Sequence, residues 1–248
     1  MEEIIGFVTE YWLYLIVGVF VLFVITGICI ANFSYDKYLK AFEEMNKVGT
    51  SFRGDAYTFA KRFSTFFFAS RIKVQVMPEK DMPSYGSYTP ATSTVALSSK
   101  IATTGSIATL AIVAHEFGHA HQHFFTKMLN KHSSNHRIIS LLGNINLLLV
   151  IAGCILGFLY GYVYALLCLA FIAFNFLFAI IFKLQTVKIE NNASEIAIKM
   201  LKNINFDENE ITEIKALLKL AKRTYTADFL KAILSWTGLV RRPNFFDF

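Results

Sequence analysis

Long uncharged runs, a short alternating stretch and helical periods divide the chain. Between Glu10 and Asp36 no charged residue interrupts an apolar run from Tyr11 to Tyr35. That is long enough to cross a hydrocarbon core of about 30 Å as a helix. The glutamates before it (Glu2, Glu3) are not the positive start of a signal peptide, and no small-residue cleavage site follows, so the run reads as an uncleaved anchor. A second run, Ile138 to Phe182, is bounded by Arg137 and Lys183. It is too long for one crossing and suits two, with the break expected in "YGYVY", Tyr160 to Tyr164, where glycine and interfacial tyrosines cluster. Both ends of this pair then emerge on one side.

Between the runs the pattern changes. "RIKVQVMP" alternates Ile72, Val74 and Val76 with polar residues and stops at Pro78, which predicts a strand. A turn-rich segment follows and becomes β-prone at Thr94 to Leu97. A helix is then expected from an N-cap at Thr104 or Ser106 to about Leu129. Past Lys183 the chain reads as helical. A late apolar stretch contains Asp228 and Lys231 and suits an interfacial helix anchored by Trp236 better than a crossing. Four segments result: an anchor over 1–36, a part with a small β element and one prominent helix over 37–137, a transmembrane pair over 138–183, and a helical part over 184–248.

Composition supports a membrane protein. The 248 residues are 54% hydrophobic, with a mean hydropathy of +0.45. The net charge of +6 does not point to nucleic acid, because the basic residues flank apolar runs and form no aromatic-basic patch. Lys37, Lys40, Lys47, Arg53, Lys61, Arg62, Arg71 and Lys73 follow the first run, whereas only glutamates precede it. The positive-inside rule puts this region and the tail in the cytoplasm. Cys29, Cys154 and Cys168 lie inside apolar runs without paired spacing, and read as packing residues.

The expected helix carries the chemistry. His115-Glu116-Phe117-Gly118-His119 is an H-E-x-x-H pattern. Positions four apart share one helical face, so His115 and His119 can hold one zinc ion, with Glu116 set aside to act as general base. Such a pattern also arises by chance on helices. His123 lies about 12 Å from His115 along the axis, too far to share the ion, and His121 points to another face. Gln122 and Phe125 stand where a longer motif would place Gly and a third His. His132 and His136 adjoin the second run, and His136 is a candidate for substrate contact.

A third ligand is needed, and "TVKIENNASEIAIKMLKN" offers two glutamates. At about 100° per residue, Glu190 shares a face with Val187, Ala193, Ser194, Ala197 and Leu201. Glu195 falls among Lys188, Asn191, Asn192, Lys199 and Lys202. A carboxylate on an apolar face requires compensation, which a metal, a buried ion pair or a proton can supply. An even number of crossings between His119 and Glu190 keeps them on one side of the membrane.

These residues resemble the YugP-like membrane neutral zinc metallopeptidases over roughly Gly54 to Leu239. "AHEFGHAHQ" resembles the family helix A-H-E-x-G-H-A-x-Q, and "SYTPATSTVALS" the Y-D-P…L-S strand before it. "VKIENNAS" resembles V-E-F-D-A-S with its ligand on Glu190, and "AKRTYTADFL" a segment with the Thr-Tyr pair, here Thr224 and Tyr225. Gly86-Ser87-Tyr88-Thr89-Pro90 stands where the family has D-H-Y-D-P, and Asn192 where it has Asp.

The resemblance implies a mainly α integral membrane protein. It would have a zincin-like helical core, a small β element and about three transmembrane helices. One zinc ion held by His115, His119 and Glu190 is implied, with Glu116 as the base of a peptidase. Tyr225 or His136 is expected to stabilise the oxyanion, and the strand Thr94, Val95, Ala96, Leu97, Ser98 to pair with substrate. The partners would be a peptide or protein, including membrane proteins, and the lipid bilayer. The expected place is a bacterial plasma membrane with the site facing the cytoplasm. The alternative is a zinc-binding membrane scaffold without turnover.

Overall fold

The computed structural model describes residues 32–82, 84–129 and 151–235, with 22, 25–27, 29–30, 145 and 148–149. Most of the first apolar run, the start of the second, His132, His136 and Trp236 lie outside the described residues.

Helix α1 spans 32–45. Helix α2 (Ala56–Phe68) starts where the Asp55 carboxylate accepts from the Thr58 N–H at 2.8 Å, and buries Phe59, Ala60 and Phe63. The chain reverses through Ala69 and Ser70, both left-handed, into β1 (Lys73–Met77). Then come β2 (Gly86–Thr89) and β3 (Thr94–Ser98), joined by a hairpin. β3 lies between the other two, parallel to β1 with Val74 opposite Val95, and antiparallel to β2 with Tyr88 opposite Val95. Its place in the middle explains its burial, and Val95 and Leu97 are fully enclosed.

After the short α3 (Ser99–Ala102), α4 runs from Ile107 to His121. Ser106 is its N-cap: the hydroxyls of Ser106 and Thr109 each accept the other's backbone N–H, at 3.2 and 3.0 Å. α4 is buried on almost every side, because α2, the sheet, and the later helices α6 and α7 surround it. The expected continuation to Leu129 is not a plain α-helix. One π turn, Gln122–Thr126, follows and ends at Lys127 in the left-handed region. A π turn shifts every later side chain around the axis.

Helix α5 (Ile151–Tyr160) and α6 (Tyr162–Asn203) are separated by Gly161, at φ 101. That φ strains any residue with a Cβ, so the turn falls on the glycine of "YGYVY". α6 is unbroken for 42 residues, so the segment boundary expected at Lys183 falls inside one helix. Among the described residues one helix is long and apolar enough to cross a membrane, over Leu166–Asn203; α5 is apolar but short. Helix α7 (Glu208–Ser235) completes the fold, with Asp207 accepting from the N–H groups of Asn209 and Glu210.

α4 and α6 touch at one point through their backbones. A Cβ on Gly118 would fall on the carbonyl oxygen of Ala193, well inside contact distance. Gly118 therefore sets the spacing that lets side chains one turn to either side meet across the two helices. Replacing Gly118 by valine is expected to destabilise the fold by about 2 kcal/mol or more and to weaken metal binding, because the helices must separate. Thermal melting and zinc titration of that variant measure both effects.

Candidate metal centre

His115 and His119 lie one turn apart on α4, and Glu190 faces them from α6; all three are buried. His115 Nε2 is 3.1 Å from Glu190 Oε2, His119 Nε2 is 3.4 Å from the same oxygen, and the two Nε2 atoms are 3.2 Å apart. Donors about 2.0–2.1 Å from a tetrahedral ion stand about 3.3–3.4 Å from one another, so the three atoms already describe one face of such a site. Glu195 is exposed, as its place on the opposite face of the helix requires.

Outer partners fix the imidazoles. Gln122 Nε2 donates to the Ile189 carbonyl at 2.7 Å and to Asn192 Oδ1 at 3.0 Å. Its Oε1 must then face His119 Nδ1, at 3.1 Å. An amide oxygen only accepts, so His119 carries a proton on Nδ1 and turns Nε2 to the centre. Ser194 Oγ takes the same position on His115 Nδ1, at 3.2 Å. Gln122 and Asn192 were not expected in this role. Gln122 stands three positions after His119, a helical spacing that puts it beside the ring and that could have pointed to it, whereas its bonds to α6 have no local signal.

Two ring nitrogens and a carboxylate oxygen in van der Waals contact need a positive charge among them. Without a metal it comes from a proton. Burial opposes the charge on His119, but the facing Glu190 carboxylate outweighs it and carries the His119 pKa up to about 9, from 6.5. A group raised in this way stabilises the metal-free fold fully below about pH 6.5, and that contribution is lost as the pH rises through about 9. Zinc must also displace this proton. Apparent zinc affinity is therefore expected to climb with pH up to about 9 and then level off, while the metal-free protein melts at progressively lower temperature. Competition titrations and melts across that range check both; a flat affinity contradicts the arrangement.

Glu116 lies beside the three donors and is buried. Burial raises its pKa, and the two histidines and the Tyr88 N–H oppose that rise. Its Oε2 has no hydrogen-bond partner among the described residues. β2 lies flat against it: a Cβ on Gly86 would come within 2.6 Å of Ile112 Cγ2 and 3.3 Å of Glu116 Cγ.

Tyr225, on α7, reaches the same centre. It is partly buried, and burial, the Glu190 carboxylate and the nearby Tyr38 and Glu116 hold its hydroxyl proton well above the ordinary range. Tyr38, on α1, was not singled out in the sequence, since nothing marks it apart from the membrane-flanking segment around it. Burial, with Tyr85, Tyr35 and Glu116 nearby, pushes its pKa up to about 12.

His121 and His123 stand apart from the three donors. His123 Nδ1 is 2.7 Å from the Tyr88 hydroxyl and ties the π turn to β2. His121 packs against Phe125 in a tilted arrangement, with ring centroids 4.6 Å apart. His136 lies outside the described residues. One expectation is corrected. Thr94, Val95, Ala96, Leu97 and Ser98 form β3, whose two edges are already paired with β1 and β2. A strand bonded on both sides has no backbone groups left for a substrate. The edge strands are β1 and β2, and β2 is the one against Glu116.

The family described as "Putative neutral zinc metallopeptidase" matches residues 15–242. The chain belongs to this family. The match runs from the first apolar run to beyond the end of α7 and encloses all three donors and Glu116. No curated protein and no solved structure matches the chain. The buried His115, His119 and Glu190 cluster fits the zinc that the family name states.

Proposed function

We propose that this member of the neutral zinc metallopeptidases is a membrane-bound endopeptidase that hydrolyses peptide bonds with Glu116 as general base and one zinc ion at His115, His119 and Glu190. The observation that carries the reading is the buried Glu116 Oε2, without a hydrogen-bond partner among the described residues, beside three donors spaced for a tetrahedral ion. A purely structural site needs no base at that position. Zinc bound there would polarise the scissile carbonyl and bring the pKa of a water down to about 7.

The chain's own residues do the rest. Glu116 accepts the proton of the attacking water and returns it to the leaving amine. Gln122 holds His119 in one tautomer throughout, and Ser194 orients the His115 ring. The Tyr225 hydroxyl, kept neutral, donates a hydrogen bond to the carbonyl oxygen as negative charge builds on it. Tyr225→Phe is then expected to lower kcat by about 10²-fold with KM nearly unchanged. Full activity in that variant removes Tyr225 from the role.

The partners in this reading are a polypeptide substrate and the lipid bilayer. Three crossings, over the first run and the two halves of the second, leave the centre on the cytoplasmic side, with a zincin-like helical core. Labelling of a cysteine introduced at Lys47 from outside the cell overturns that orientation.

The function is tested on purified protein in detergent, with an unfolded protein as substrate. A chelator is expected to abolish cleavage and about one equivalent of zinc to restore it. Zinc bound with no cleavage of any polypeptide favours the scaffold instead.

A further inference from the structure

Resting on the proposed membrane-bound endopeptidase, we infer that its substrates are juxtamembrane segments: polypeptide that leaves the bilayer within a few residues of the point where it is cut. The inference comes from α6, which carries both the apolar stretch and a metal donor.

From Tyr162 to Phe182 α6 contains no charged residue. Large apolar side chains stand uncovered along it, among them Leu167, Phe171, Phe174 and Leu177. These 21 residues rise about 31 Å, against about 30 Å of hydrocarbon. One end carries Gly161 with Tyr160 and Tyr164, whose rings are 5.8 Å apart, in the manner of residues at a membrane interface. The other end carries Lys183 and the exposed Lys188. Length, side chains and ends all suit lipid as the covering medium.

The same helix continues without a break to Asn203. Glu190 follows Phe182 by eight positions, which places it about 12 Å beyond the hydrocarbon edge. The headgroup layer takes up about 5–8 Å of that distance. The unbroken helix sets this distance along its axis, and Gly118 of α4 lying directly on Ala193 holds both histidines at the level of Glu190. α6 therefore acts as a ruler that holds the centre a few ångströms above the headgroups. An extended chain rises about 3.3 Å per residue, so about four residues carry a substrate from the hydrocarbon to the centre. A protease for freely diffusing chains has no need of a fixed height.

The test uses the full-length protein in lipid vesicles with three substrates that share one unstructured cassette. In the first, the cassette directly follows a single transmembrane helix. In the second, a helical spacer of about 27 residues lifts it about 40 Å from the bilayer. In the third, the cassette is free in solution. The first is expected to be cut at least about tenfold faster than the second, within about ten residues of the membrane segment. Equal rates for the first and second overturn the inference. If the free cassette is cut by the wild type and not by Glu116→Gln, the protease reading survives that result. If the wild type cuts none of the three, both readings fall. A nitroxide at position 188 supplies a readout independent of turnover. It is expected to lie about 9 Å outside the hydrocarbon edge, and a position inside the hydrocarbon overturns the inference.

Discussion

Glu116→Gln is expected to lower kcat by about 10³-fold or more while leaving about one zinc ion bound per chain. Glutamine keeps the size and shape of glutamate in a position that is fully enclosed. Its side-chain oxygen can still accept from the Tyr88 N–H, which contacts the carboxylate now. It cannot accept a proton from water. The three donors are untouched, so metal content does not change. The fold does not suffer either, because the substitution removes a buried charge that burial already disfavours. Zinc content, melting temperature and cleavage measured on the same samples separate the possibilities. More than about a tenth of wild-type kcat in this variant rules out Glu116 as the base. Loss of zinc shows instead that Glu116 supports the donors.

Glu190→Gln has the second large effect, and it falls on binding. Both imidazoles turn Nε2 toward Glu190 Oε2, at 3.1 and 3.4 Å. Zinc affinity is expected to drop by well over 100-fold, since losing an outer partner alone costs 10–100-fold. The same change removes the carboxylate that raises His119, so the metal-free protein loses its stability difference between about pH 6.5 and 9. Glu195→Gln is the control. It lies on the same helix, five positions on and exposed, and leaves zinc affinity unchanged. Equal losses in the two variants overturn the assignment of Glu190.

Much of this centre was readable because its parts are local. The four-residue step from His115 to His119 is one helical turn wherever the helix lies. The choice of Glu190 over Glu195 follows from helical period alone, and the structure buries the first and exposes the second. Strand β1 announced itself through alternation, β3 through its β-prone residues, and the turn at Gly161 through its neighbours. Helix α2 was overlooked although its signal is present: Asp55 caps it, and Ala56, Phe59, Ala60 and Phe63 repeat at helical spacing.

By itself, then, the sequence determined which three side chains could meet as metal donors, the glutamate beside them, the uncharged runs and the faces of the helices that carry them. Each depends on backbone period or on side-chain chemistry within a few residues. The tertiary structure alone decided the rest. β3 became the centre of the sheet, which closed it to substrate, because β1 crosses to its far side. Gln122, three positions past His119, is held under the ring by Ile189 and Asn192 of another helix. Tyr38 joined the already expected Tyr225 at the centre, from α1 and α7, and Gly118 set the approach of α4 to α6. These are contacts between residues far apart in the chain, and which of them form depends on how the helices pack against one another.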